Sequence, residues 1–245
     1  MIEQPTATSP CAVVELRRYK LHPGTRDTMI ELFDTELVET QEAVDMRVLG
    51  QFRHLDDPDA FVWLRGFRDM RTRGRGLNAF YEDGPVWARH SAAARATMID
   101  TTNVLLLRPV DELPQVCFEP ARRPPRGCEE IPAGVVTATI VHLDGPGAAA
   151  AFPAFFESEL KPALLEAGAE LLGSFASEHA PNNFPRLPVR EEAEVFVWLS
   201  GFADEAAHAE HAARFDLSRV LADRTGGTAE TWKLTPTSRS LLVPS

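Results

Sequence analysis

Apolar residues change their spacing repeatedly along the chain, and each change marks an element. Between Val13 and Leu21 the pattern is that of a strand, with Glu15, Arg17 and Tyr19 two apart and therefore on one face. Pro23-Gly24 then signals a turn, after which Met29, Ile30, Phe33 and Leu37 recur at helical spacing. Two strand patterns follow near 46–55 and 60–67, close enough to form a hairpin. Helical spacing returns over 69–98 with a break at Gly84-Pro85, and Asn103 to Pro109 closes the series as a strand. The order strand, helix, strand, strand, helix, strand is ferredoxin-like.

The same series is then spelled out again. Phe61-Val62-Trp63-Leu64-Arg65-Gly66-Phe67 recurs as Phe196-Val197-Trp198-Leu199-Ser200-Gly201-Phe202. Val48-Leu49-Gly50-Gln51-Phe52 has its counterpart in Leu171-Leu172-Gly173-Ser174-Phe175, and Glu36-Leu37 in Glu159-Leu160. Leu105-Leu106 matches Leu241-Leu242 near the end. Phe152, Phe155, Phe156, Leu160 and Leu164 repeat the apolar stripe of the first helix. The sequence therefore predicts an α+β protein with a first domain over 12–110, a proline-rich linker over 111–132 and a second domain over 133–245. One departure stands out: Ser177 to Arg190 carries Pro181, Pro185 and Pro188 where the first copy turns through Asp56-Asp57-Pro58. Such a loop is either a lid over a site or a passive insertion.

Glu15-Leu16-Arg17-Arg18-Tyr19, the Pro23-Gly24 turn and the Phe-Val-Trp-Leu-x-Gly-Phe strand together resemble the NIPSNAP domain, closely in the first copy. In the second, Thr137, Thr139 and Val141 stand in place of Glu15, Arg17 and Tyr19. The resemblance implies a dimeric α+β barrel, built here within one chain from two tandem ferredoxin-like βαββαβ domains whose four-stranded sheets pack face to face. It implies no reaction, because the fold serves many activities. A chain that satisfies its own pairing is expected to be a monomer with an internal pseudo-dimer, with further self-association left open.

Strand alternation nominates a site. Glu15, Arg17 and Tyr19 share a face, as do Gln51 and Arg53, and as do Trp63 and Arg65. Val62, Leu64 and Gly66 are smooth enough to pack helices, so the polar and aromatic set is expected to line a ligand cavity inside the barrel. The competing reading is a structural ion-pair network between Glu15 and the arginines. Their counterparts Ser174, Ala176 and Ser200, with Thr137, Thr139 and Val141, have lost charge or size, which places any site in the first copy.

Composition narrows the classes. A formal charge of −11 disfavours nucleic acid and anionic membrane as partners, and no apolar run reaches a membrane-spanning length. MIEQPTATSPC lacks the basic start and apolar core of a secretory signal, so a cytoplasmic location is expected. The three cysteines, Cys11, Cys117 and Cys128, fit neither a disulfide framework nor a zinc spacing. His208 and His211 sit at helical spacing but lack a third ligand, so no metal is assigned, and no motif calls for a cofactor. Arg68, Arg71 and Arg75 fall at helical spacing and read as a solvated face. Hydrolase elbows are missing and catalytic residues are not identifiable. The expected function is binding of a small aromatic or polyketide-like molecule, with cofactor-independent turnover open. The alternative is an interaction or scaffold protein that uses the barrel exterior.

Overall fold

A computed structural model describes residues 11–110, 123–221 and 228–245 of the 245-residue chain. Most of the expected linker, Cys117 and the Gly226-Gly227 turn signal lie outside the described residues. The first half runs β1 (Val13–Leu21), α1 (Arg26–Leu32), a π-helical turn (Phe33–Leu37), α2 (Val38–Glu42), β2 (Arg47–His54), β3 (Ala60–Phe67), α3 (Met70–Tyr81), α4 (Pro85–Thr97) and β4 (Met98–Pro109). The second runs β5 (Val135–His142), α5 (Gly145–Phe155), a second π-helical turn (Phe156–Leu160), α6 (Lys161–Glu166), β6 (Glu170–Ser177), β7 (Val195–Phe202), α7 (Glu205–Arg214), α8 (Leu217–Leu221) and β8 (Ala229–Pro236).

Local chemistry sets these boundaries twice over. Pro23-Gly24 turns the chain after β1 with Gly24 at φ +75, a conformation that glycine adopts without strain. Asp69 caps α3 by accepting from the Thr72 N–H at 2.6 Å, and Asp204 caps α7 by accepting from the Ala207 N–H at 2.8 Å. Both hairpins carry a register shift at the same place, between Val48 and Gly50 in β2 and between Leu171 and Gly173 in β6. The pairings agree residue for residue: Glu15 faces Arg65 and Arg17 faces Trp63, while Thr137 faces Ser200 and Thr139 faces Trp198.

The eight strands form one closed barrel in the order β1-β3-β2-β8-β5-β7-β6-β4. Two four-stranded sheets were expected face to face; they also join edge to edge. Phe52, Arg53 and His54 of β2 pair with Pro236, Thr235 and Leu234 of β8, and Leu107, Arg108 and Pro109 of β4 pair with Ser177, Ala176 and Phe175 of β6. Closure leaves no free edge among the described strands. The terminal match needs correction: Leu105 and Trp232 hold equivalent places, since Leu105 pairs with Leu16 and Trp232 with the corresponding Ala138. Leu242 lies beyond β8, where its N–H donates to the Leu49 carbonyl and its side chain enters the barrel core.

Two kinds of apolar layer result. Val14, Leu16, Val62, Leu64, Leu105 and Leu107 from the first half meet Val136, Ala138, Ile140, Val197, Leu199 and Leu234 from the second inside the barrel. A Cβ on Gly50 would come within 2.6 Å of the Phe52 ring, so the bare backbone there makes room for an interior aromatic. Outside the barrel, each half packs its own helices: Phe33 lies 4.8 Å from Trp63, and Phe156 lies 5.6 Å from Trp198. No helix among the described residues is long and apolar enough to cross a membrane.

Candidate functional site

The expected orientation of the strands is reversed. Val62 and Leu64, expected under helices, fill the barrel, whereas Tyr19 and Trp63 belong to the layer between sheet and helices. Glu15, Arg17 and Arg65 alternate with the interior residues and lie in that outer layer with them. Period-two alternation sorts residues into two sets but does not say which set points inward when both faces are buried. A narrow barrel shared by two halves is filled most cheaply by aliphatic side chains from both. The inward set is thus the one whose character recurs in both copies, Val14 and Leu16 with Val136 and Ala138.

Beneath α2 and α3 the first half buries a charged cluster. Glu15 Oε2 accepts from Arg17 Nη1 at 2.6 Å and from Arg65 Nε at 2.7 Å, while Oε1 accepts from Arg73 Nε at 2.7 Å. All four side chains are fully buried. Arg65 Nη1 also donates to Gln41 Oε1 at 3.2 Å and to the Tyr81 hydroxyl at 3.3 Å, and Arg17 Nε donates to the Tyr19 hydroxyl at 3.3 Å. Trp63 lies under two guanidinium groups, 5.5 Å from Arg17 and 5.1 Å from Arg65. Burial alone would raise the Glu15 carboxyl, but Arg65, Arg17 and Arg73 overrule it and hold the group well below the usual carboxylate range. The ion-pair network weighed in the sequence is therefore present. It is also unbalanced, since one carboxylate serves three guanidinium groups, and Arg17 Nη2, Arg65 Nη2, Arg73 Nη2 and Trp63 Nε1 are buried with no acceptor among the described residues.

Tyr19 and Tyr81 carry this cluster to the floor of a cavity of about 270 Å³, whose walls include Trp87, Arg95, Met98 and Phe184. Burial pushes the Tyr19 phenol above its ordinary value despite the opposing influence of Arg17, so it stays protonated and able to donate. Arg95 lies over the Trp87 ring at 5.5 Å. The roof comes from the other half of the chain. Asn182 and Asn183 of the insertion accept from Arg73 Nη1 at 3.0 and 2.7 Å, Phe184 is buried near Tyr81 at 6.0 Å between ring centroids, and Arg186 pairs with Glu82 at the end of α3. The insertion is thus a cover that spans onto the first half.

Of the seven predicted residues, Glu15, Arg17, Tyr19, Trp63 and Arg65 come together, and Tyr19 lines the cavity. Gln51 and Arg53 do not join them. Arg53 pairs with exposed Asp27. Gln51 donates from Nε2 to Asp34 Oδ1 at 2.7 Å, in a cluster where Arg123 and the chain after β8 dock. Sequence reasoning missed Arg73, Tyr81, Gln41 and Trp87, whereas the roof is the Ser177 to Arg190 insertion, for which a lid was one of the two readings. Arg73 had a signal: Arg68, Arg71 and Arg75 share one helical face, which leaves Arg73 turned away from it and toward the sheet.

Asp34 offers a pH test in that second cluster. Burial pushes its carboxyl up to about 6, against the lowering effect of Gln51 and Arg239. The folded state then holds a proton more tightly than the unfolded one, so this group's contribution falls as pH rises from the ordinary aspartate range through about 6. Asp34→Asn is expected to be more stable than the parent by about 1–2 kcal/mol at pH 8, with the gap closing below pH 5. Urea denaturation across that range checks it; parallel curves would contradict it.

The histidine pair has a structural explanation. His211 is buried, lies 4.9 Å from Phe202 and 5.3 Å from Phe215, and has Nδ1 at 3.3 Å from the Ala167 carbonyl. Among the described residues no group of three or more His, Cys, Asp or Glu is placed to hold a metal.

A closed α+β barrel of two ferredoxin-like halves, with a charged and aromatic layer under the helices of one half, defines the class. Residues 14–114 match the NIPSNAP family model. No curated protein matches the chain. Among solved structures, a candidate monooxygenase of Fusobacterium nucleatum subsp. nucleatum has a TM-score of 0.58 at 7% identity, covering 97% of this chain and 100% of that one. An anthrone oxidase-like protein has a TM-score of 0.52 at 11% identity, with 96% of each chain covered. A NIPSNAP-like domain protein of Burkholderia xenovorans is 24% identical over 44% of this chain and 96% of that one, with a TM-score of 0.39.

Proposed function

We propose that the first half binds a small, partly aromatic or polyketide-like molecule in the cavity under Phe184, outside the barrel and beneath the helices. The observation that carries this reading is the pair of phenols, Tyr19 and Tyr81, whose oxygens accept from buried arginines and whose own O–H groups are left to donate. Trp87, Phe184 and Tyr81 supply aromatic walls, and a volume of about 270 Å³ sits at the small end of ligand sites. Where the ligand is turned over, phenol donors backed by guanidinium charge suit proton transfer next to a carbonyl or cofactor-independent oxygenation.

Native mass spectrometry of freshly purified protein is expected to show a co-purifying small molecule. With 2-naphthol as a probe, Tyr19→Phe and Tyr81→Phe should each weaken binding about 5–10-fold, the loss of one hydrogen bond, while the melting temperature stays within about 3 °C. Probe affinity unchanged in both variants and in Trp87→Ala would move the site elsewhere and leave the barrel exterior as the functional surface.

A further inference from the structure

Resting on that reading, we infer that the cavity holds its ligand as an anion, a carboxylate or an ionised phenol or enol, with the negative oxygen against the Tyr19 and Tyr81 hydroxyls. The cluster behind those hydroxyls carries three guanidinium groups, from Arg17, Arg65 and Arg73, and one carboxylate, Glu15. Their sum is two positive charges in a fully buried layer. Nothing else described within hydrogen-bond reach cancels them: Gln41, Asn182 and Asn183 are neutral amides, and the phenols are uncharged. Buried charge of one sign is costly unless compensated, and three Nη2 atoms stand without an acceptor.

Every other charged wall of the cavity is accounted for. Glu82, just beyond α3, is paired with Arg186 of the insertion, which leaves Arg95 on α4 as the rim charge without a counter-ion among the described residues. Arg95 lies over Trp87, so a flat ligand stacked beside Trp87 would meet a cation at its outer end and two polarised phenols at its inner end. The surroundings are a protein of formal charge −11, which makes this a positive pocket in a negative molecule. Field lines focus in such a place and select a small anion over a neutral analogue of the same shape. The second half offers no equivalent, because Thr137, Thr139 and Ser200 occupy the places of Glu15, Arg17 and Arg65.

The test compares 2-naphthoate, methyl 2-naphthoate and 2-naphthol on the full chain by calorimetry, with the ionisation of bound 2-naphthol read from its absorption. The carboxylate is expected to bind at least about tenfold tighter than its methyl ester, and bound 2-naphthol to lose its proton to water about one pH unit lower than free. The preference should survive 0.5 M salt, since a buried source is screened little, and should shrink in the Tyr19→Phe/Tyr81→Phe double variant, which removes the two donors but leaves the buried charge. Replacing a buried arginine can unfold the domain, so exposed Arg95 is the cation to change, and Arg95→Gln should lower the preference less than the double phenylalanine variant does. Equal affinity for acid and ester would overturn the charge inference while leaving the binding site intact. Failure of all three probes would overturn both. A preference abolished by Arg95→Gln and untouched by the phenylalanine variants would place recognition at the rim and overturn the assignment to the buried cluster.

Discussion

Glu15→Gln is expected to lower the unfolding free energy by about 3–5 kcal/mol, because it leaves three buried guanidinium groups without their shared counter-charge. The carboxylate is fully enclosed and accepts from all three arginines, so no water can take its place. The sign of the pH dependence follows from the depressed carboxyl. Its contribution is complete above the ordinary glutamate value and is lost as pH falls from there toward the lower folded value. The gap between Glu15→Gln and the parent should therefore be widest near neutrality and narrow below about pH 4. Urea denaturation at pH 7 and pH 3.5 measures both; a loss under about 1 kcal/mol at pH 7 would mean that the arginines find other partners. Adding Arg73→Met should recover part of the loss, since it removes one of the stranded charges.

Trp63→Ala and Trp198→Ala should each cost about 3–5 kcal/mol as large-to-small changes under packed helices. The two indoles occupy equivalent places and are both 1% exposed. They differ in company. Trp198 packs on Phe156, whereas Trp63 also lies beneath Arg17 and Arg65, so its loss should exceed that of Trp198 by about 1 kcal/mol. Equal losses would show that the cation–aromatic contacts contribute nothing net, and losses under about 1 kcal/mol would contradict the core role of both.

How far the sequence can be read depends on what kind of signal each feature leaves. β1 is found where the pattern places it, from Val13 to Leu21, and the helix break at Gly84-Pro85 separates α3 from α4. The residues of the first stripe, Met29, Ile30, Phe33 and Leu37, are all buried. β4 begins earlier than expected: Met98 to Asn103 is mostly polar and only partly covered, and its pairing with β1 passes through two register shifts. Local periodicity carries no trace of such a strand, whose hydrogen bonds depend on a distant partner.

The candidate cluster was legible in part, since Gln51 and Arg53 were grouped with residues that they do not join. Glu15, Arg17, Tyr19, Trp63 and Arg65 were grouped correctly because a two-residue period shows which side chains share a face. Their side of the barrel was not legible, because both faces are buried and burial is what hydrophobic pattern reports. Arg73 was hidden in an arginine-rich run whose other members face solvent, and Asn182, Asn183 and Phe184 lie more than a hundred residues from the groups they cover. Contacts of that span arise from barrel closure, which brings β6 beside β4.

In a barrel assembled from two identical chains, every substitution is made twice and both cavities must change together. Here the seam of the barrel is crossed by one continuous polypeptide, so the halves are free to drift apart in role. One half has kept the buried ions and the phenols; the other has replaced Arg17 with Thr139 and Arg65 with Ser200 and contributes the Asn182 to Arg186 cover to its sibling's cavity. The second half thereby supplies a wall to a cavity of the first without mirroring its charged layer, an asymmetry that a symmetric dimer has no way to encode.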